Sequence, residues 1–256
     1  MIKAGPTGLG PVKDAIETLE DYKKLGFTSC EVLFTYGVYI QKKDAELIGE
    51  KAKELNIQLS IHAPYWINLN SKEKTKIQKS KERILKSCEI GHYLGAYRIV
   101  FHPGYYAGIS KEETYENIKN AINELQEVRE KNKWNPELAP ETTGKKNVFG
   151  SVDEILQLTK DTKCSFCIDF AHILAREGKI NYKEILQKFS KFKKLHIHFS
   201  GIEYGEKGEK KHKKTETAKI KELIASLKKY AKDKEIVIIN ESPYTIEDSI
   251  KTLKYL

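Results

Sequence analysis

Tyr97-Arg98-Ile99-Val100-Phe101-His102-Pro103 is a short apolar run that stops on an ionisable residue and a proline. It stands between two long, lysine-studded amphipathic stretches, Lys72–Leu94 and Lys111–Lys131. A run of that length bounded by breakers reads as a buried strand, and apolar residues recurring at helical spacing read as the helices that cover it. The same unit recurs along the chain. Strands are expected at Ile2–Gly5, Ser29–Phe34, Gln58–His62, Tyr97–His102, Glu137–Glu141, Ser165–Asp169, Lys194–Phe199 and Ile236–Glu241. Helices are expected at Val12–Leu25, Lys42–Leu55, Lys72–Leu94, Lys111–Lys131, Val152–Thr159, Tyr182–Phe189, Ala218–Tyr230 and Ile246–Leu256. About eight β–α units in roughly 250 residues point to an α/β chain folded as a single-domain (β/α)8 TIM barrel over 1–256. A doubly wound open sheet uses the same units. However, the turn after the first strand, Pro6-Thr7-Gly8-Leu9-Gly10, lacks the G-x-G-x-x-G spacing of a dinucleotide fold.

Composition narrows the class. The 256 residues are 39% hydrophobic and 32% charged, which excludes a disordered tail and a membrane protein. No apolar stretch approaches the roughly 20 residues that span a bilayer. Met1-Ile2-Lys3-Ala4-Gly5-Pro6 is no signal peptide. The four cysteines are too sparse for a disulfide scaffold. Cys164 and Cys167 form a C-x-x-C inside an expected strand, where residues three apart face opposite ways and cannot share a metal. A soluble, cytoplasmic monomer is expected. The net charge of +9 suits an anionic partner, although lysine-rich composition alone produces the same number.

The informative residues are those at the strand ends. His62, His102, Glu141, Asp169 (with His172 three residues on), His198 and Glu241 close six successive strands. In a (β/α)8 barrel, that rim is where side chains from different strands converge. Alternation places His62 on a face with Ser60 and opposite Leu59 and Ile61, so the ionisable residues turn inward while their apolar neighbours meet the helices. One such histidine is ordinarily just a hydrogen-bonded polar residue; six consecutive strand ends of this kind are not explained that way. Imidazoles and carboxylates crowded together need a cation, and a donor set without thiolate suits Zn²⁺ or Mn²⁺. His196, one layer deeper than His198, reads as a core or supporting histidine, and His92 as a helix-end residue.

These residues resemble the endonuclease IV family, the metal-dependent apurinic/apyrimidinic endonucleases of the xylose-isomerase-like (β/α)8 superfamily, in wording closest to archaeal members. The resemblance rests on Ile61-His62-Ala63-Pro64-Tyr65-Trp66-Ile67-Asn68-Leu69, Phe101-His102-Pro103-Gly104 and Pro140-Glu141-Thr142-Thr143-Gly144-Lys145. It continues in Cys167-Ile168-Asp169-Phe170-Ala171-His172, His196-Ile197-His198-Phe199-Ser200-Gly201 and Glu241-Ser242-Pro243. It implies two or three zinc ions. One would be held by His62 and His102, with Glu141 bridging to a second held by Asp169, His198 and Glu241. His172 would serve a third, which the family completes with Asp-x-His; here Lys210 stands at the Asp position before His212, and Glu209 substitutes only if the chain is shifted by a residue. The implied reaction is hydrolysis of the phosphodiester 5′ to an abasic site in duplex DNA, leaving a 3′-hydroxyl and a 5′-deoxyribose phosphate, with 3′-blocked ends as further substrates. Glu141 is the expected catalytic ligand. Tyr65 and Trp66 are expected to enter the minor groove. The run Glu206–Lys214, read as a loop over the mouth, offers Lys210 and Lys211 to phosphates. No arginine follows the second strand, where Tyr36 or Tyr39 is left to stack.

Two other functions share parts of this pattern. A divalent-metal sugar isomerase or epimerase also lines its barrel mouth with Glu, Asp and His, but His62, His102, His172 and the basic run exceed what a small polyol needs. A metal-bearing DNA-binding module without catalysis would keep the charge and lose the turnover.

Overall fold

The computed structural model describes all 256 residues. The chain alternates strands and helices: β1 (Ile2–Pro6), α1 (Ala15–Lys24), β2 (Ser29–Leu33), α2 (Lys42–Glu54), β3 (Gln58–His62), α3 (Lys74–Tyr93), β4 (Arg98–Phe101), α4 (Lys111–Lys131) and β5 (Glu137–Pro140). It continues with α5 (Val152–Thr162), β6 (Ile168–Asp169), α6 (Phe170–Glu177), α7 (Tyr182–Lys188), β7 (Lys194–Phe199), β8 (Gly201–Gly205), β9 (Gly208–Lys213), α8 (Thr217–Tyr230), β10 (Glu235–Asn240) and α9 (Thr245–Leu253). All pairings among the barrel strands are parallel, in the orders β1-β10-β7-β6 and β2-β3-β4-β5. Two seams join these half-barrels. At one, Thr7 bridges Glu31 and Gly8 N–H donates to the Glu31 carbonyl at 2.8 Å. At the other, Glu141 bridges Cys167 and Cys167 N–H donates to the Pro140 carbonyl at 3.0 Å. The sheet therefore closes on itself as a TIM barrel.

Side-chain parity sorts the barrel into two compartments. Leu59, Ile61, Ile99, Phe101, Ile197, Ile236 and Ile238 join the main apolar cluster of 54 buried residues between strands and helices. Val100, Ala139 and Cys167 form a separate small cluster inside the barrel. Cys164 lies in the outer cluster and Cys167 in the inner one, as opposite faces require, and all four cysteines are free. With so little apolar side chain inside, the interior is occupied mainly by polar groups, and this brings the strand-end residues together. No helix is long and apolar enough to cross a membrane.

The structure corrects three expectations. The sixth strand is only Ile168–Asp169, the two residues that pair with β7; before them the backbone bonds to β5, through Ser165 N–H to the Leu138 carbonyl and Cys167 N–H to the Pro140 carbonyl. A helix, α6, follows it directly. The Asp169 carboxylate caps its start by accepting from His172 N–H at 2.7 Å, and Gly178 ends it in the left-handed region (φ 74°). The lysine-rich run read as a loop is instead an antiparallel hairpin, β8–β9, rising from the end of β7.

Gly5 sits at the β1–β2 seam, where an added Cβ would lie 1.7 Å from the Ser29 backbone oxygen. Backbone cannot yield as a side chain can. Gly5→Ala is therefore expected to destabilise the fold by at least about 3 kcal/mol, read as a lower urea midpoint at unchanged m-value.

Candidate metal centre

The strand ends converge at the C-terminal mouth of the barrel, where His62, His102, His172, Glu209, His212 and Glu241 line a cleft of about 340 Å³. Glu141, Asp169 and His198 are fully buried, and His62 and His172 nearly so; His102, Glu209, His212 and Glu241 face the opening. Glu141 is the hub. Its Oε2 lies 3.3 Å from His62 Nε2 and 2.9 Å from His102 Nε2. Its Oε1 lies 3.0 Å from His198 Nδ1 and 3.4 Å from His172 Nδ1. Each oxygen thus serves a different set of imidazoles, the disposition of a bridging carboxylate.

At the mouth the donor atoms fall into three groups, each with its members within 4.8 Å of one another: His62, His102 and Glu141; Glu141, Asp169, His198 and Glu241; and His172, Glu209 and His212; a fourth group, Cys167, His196 and His198, is wholly buried one layer deeper. Backbone contacts orient two of the rings. His62 Nδ1 meets the Ala63 carbonyl at 2.9 Å and His172 Nδ1 meets the Thr142 carbonyl at 3.0 Å, so each ring donates there and turns Nε2 into the cleft. Asp169 spends Oδ1 on the helix cap and leaves Oδ2 buried without a hydrogen-bond donor. An orphaned carboxylate oxygen aimed at a convergence of imidazoles and carboxylates fits a divalent cation.

The electrostatics point the same way. Burial lifts Asp169 to about 6, helped by Glu141 and Glu241, while His172 opposes it. Burial would also raise Glu241, but His198 pulls it down to about 2. Burial alone would lower His62; the Glu141 carboxylate reverses this and holds it at about 9. His172 and His198 stay well above their ordinary range for the same reason, with Asp169 acting on His172 and the Cys167 sulfur and Glu241 on His198. Protons on His62, His172 and His198 therefore compensate the carboxylates in the metal-free protein.

The third group depends on the hairpin. Glu203 pairs with Lys211 and Tyr204 with Glu209, so Lys210 is an extra residue, a β-bulge. In a regular strand, residues three apart face opposite ways. The bulge at Lys210 turns Glu209 and His212 to the same side, where Glu209 Oε2 lies 3.5 Å from His172 Nε2 and Glu209 Oε1 lies 3.7 Å from His212 Nε2. The hairpin tip is sewn down by Glu209 N–H to the Gly144 carbonyl at 3.0 Å and Lys146 N–H to the Lys207 carbonyl at 3.2 Å. Gly208 makes this possible: its φ is 94°, and a Cβ there would meet the Gly144 oxygen at 2.2 Å. Lys210 and Lys211 point away, 3.7 and 3.5 Å from Glu203.

Around the mouth, Tyr65 (56% exposed), Trp66 (64%) and Tyr36 (82%) stand clear of the barrel, joined by Tyr39, Tyr105 and Tyr244. Trp66 is tethered by its carbonyl, which accepts from Arg83 at 3.1 Å, and its ring is left free. Lys145, in the cleft wall, was not anticipated from the sequence. Neither was Glu31, a fully buried carboxylate in the middle of β2 that lies 3.0 Å from His196 Nε2 and 2.9 Å from His198 Nε2. The signal for Glu31 was an acid inside an apolar run with no solvent-facing side. Burial brings His196 down to about 4 despite Glu31, leaving it neutral.

Imidazoles and carboxylates gathered at the C-terminal mouth of a closed barrel define a class of metal-handling TIM-barrel proteins. The family model described as a xylose isomerase-like TIM barrel matches residues 19–230, and the chain belongs to that family. It is 36% identical to an uncharacterized protein of Methanocaldococcus jannaschii over 255 residues, covering 94% of this chain and 92% of that one. It is 29% identical to a probable endonuclease 4 of Aquifex aeolicus over 158 residues, 59% of this chain and about half (55%) of that relative. Among solved structures, SacUVDE superposes with a TM-score of 0.78 at 17% identity, covering 99% of this chain and 97% of that one. A D-tagatose 3-epimerase-like protein superposes at 0.73 and 21% identity (98% and 96% covered), and endonuclease IV from Thermus thermophilus at 0.70 and 16% (98% and 97%). At these identities, the structures share the fold.

A divalent ion needs the free base of His62, whereas the metal-free protein keeps that ring protonated up to about pH 9. Ion capture should therefore release protons, and affinity should rise by about tenfold per pH unit for each proton displaced, levelling off above that value. Chelator competition across pH, with proton release followed in weakly buffered solution, checks the sign.

Proposed function

We propose that this chain is a metal-dependent DNA repair endonuclease that hydrolyses the phosphodiester 5′ to an abasic site in duplex DNA, leaving a 3′-hydroxyl and a 5′-deoxyribose phosphate. The observation that carries this reading is the set of three donor groups at the barrel mouth, two of them sharing Glu141, beneath a rim of exposed aromatic rings. Resemblance to curated endonuclease 4 proteins supports it. Zinc is the ion we assign, in two or three copies, since the donors are imidazole and carboxylate; manganese accepts the same donors.

His62 and His102 with Glu141 would hold one ion, and Glu141, Asp169, His198 and Glu241 a second. His172, Glu209 and His212 would hold the third. Bound divalent ions supply Lewis acidity toward a phosphodiester and activate water near neutral pH. Glu141 carries the catalytic role because it alone belongs to two of the three groups at the mouth. Lys145 in the cleft wall would meet backbone phosphates at the lesion without reading sequence, and Lys210 and Lys211, which pair with Glu203 and point away from the cleft, would meet phosphates only of DNA that extends past the mouth. Tyr65 and Trp66 would fill the space that a missing base leaves, where an apolar ring replaces lost stacking.

The epimerase-like neighbours favour a second reading, a sugar isomerase or epimerase. It makes less use of the third donor group and of a mouth ringed by exposed Tyr36, Tyr65 and Trp66. A duplex with one abasic analogue separates the two: nicking immediately 5′ to the lesion, stopped by chelator, is expected. An intact duplex beside conversion of a ketose would reverse the assignment, and binding without turnover would leave a DNA-binding module.

Glu141→Gln should cut nicking by about a thousandfold or more, with lesion binding still detectable by gel shift. Trp66→Ala should weaken abasic-duplex binding by about tenfold and move the thermal midpoint little, because the residue is 64% exposed.

A further inference from the structure

Beneath the metal centre lies a layer of polar side chains that the proposed chemistry does not use. Glu31 stands at its middle, fully buried on β2. Its Oε2 accepts from Ser60 Oγ at 2.7 Å and from His196 Nε2 at 3.0 Å. Its Oε1 has no aligned donor yet lies 2.9 Å from His198 Nε2. On the far side of His196, Nδ1 is hydrogen-bonded to the Tyr97 hydroxyl, which reaches up from the floor of the barrel.

We infer that Glu31 is the positioning residue of the metal centre: it keeps the His198 proton on Nε2, so that Nδ1, between Glu141 and Glu241, is the nitrogen left for a cation. The inference rests on the metal-centre reading above and deepens it. His198 Nε2 lies 2.9 Å from Glu31 Oε1 and 3.2 Å from His196 Nε2, whose own hydrogen is directed at Glu31; a lone pair there would face the buried anion and be repelled, so this nitrogen carries a hydrogen. Nδ1 also carries a hydrogen in the metal-free protein, directed at Glu141 Oε1 (3.0 Å) and Glu241 Oε1 (3.2 Å), and it is this proton, inside the second donor group, that a cation would displace, while the one facing Glu31 stays. A carboxylate behind a ligating imidazole both fixes the ring and raises the basicity of the donor nitrogen. Ser60, and His196 held by Tyr97, fix Glu31 in turn. His62 and His172 are oriented by backbone carbonyls; His198, on the same strand as His196, is oriented by this buried acid.

Two measurements test it. In the unchanged protein, ¹⁵N shifts of the zinc-loaded histidines should show His198 protonated on Nε2 and bound through Nδ1; a His198 bound through Nε2 overturns the inference. Competitive zinc titration of Glu31→Gln should show one ion held about 10–100-fold more weakly, with the ion at His62 and His102 unaffected and Glu31→Asp partly restored. Equal affinity for every ion in Glu31→Gln overturns the role of Glu31 while leaving the metal centre standing. Failure of the unchanged protein to bind zinc removes the metal-centre reading and this inference with it.

Discussion

A fully buried glutamate surrounded by four imidazoles is the constraint around which this barrel is arranged. Glu141 cannot shed its charge to solvent, and it lies within 3.4 Å of His62, His102, His172 and His198, each arriving from a different strand or helix. Holding five groups at such separations requires a scaffold whose strands cannot slide. The closed parallel sheet supplies it, with both seams fixed by backbone hydrogen bonds beside the site, at Glu31 and at Cys167. Rigidity at the mouth follows from closure, because no strand is left with an unpaired edge.

The division of the interior follows from the same requirement. Apolar side chains are sent outward to the helices, where burial of hydrocarbon stabilises the fold. Inside, polar groups are in continuous contact from Tyr97 and His196 through Glu31 to His198 and the mouth, with Glu31 Oε1 and Asp169 Oδ2 left without an aligned donor. Such a network is costly when partly satisfied and specifying when complete. A cation at the top of it would use the one carboxylate oxygen of Asp169 that the protein leaves unpaired.

The barrel was legible in the sequence because each strand is a short apolar run with a helix-period stretch behind it, and because parity is strict on strands buried on both sides. The site was legible where an ionisable residue broke that pattern at its end, as at His62, His102 and Glu241. Glu31 escaped because it breaks the pattern in the middle, between Cys30 and Val32, where only pairing to β3 reveals its partner Ser60. Helix α6 escaped because its first turn is also the end of a strand: Asp169 closes β6 and caps the helix at once. The hairpin escaped because its lysines carry no hydrophobic alternation. The bulge that aligns Glu209 with His212 arises from pairing with β8, and local composition does not encode it.

The hairpin is joined to the barrel only at its root and at the loop holding Gly144 and Lys145, yet it brings two of the three donors of one group. The barrel proper supplies the other two groups from its own strand ends. A lineage could thus lengthen, shorten or re-register β8 and β9 and gain or lose one ion without disturbing the sheet. The spacing of that single donor pair is free to drift so long as a compensating bulge drifts with it. Relatives of this chain would then differ in metal count by the register of one surface ribbon, while their barrels remain superimposable.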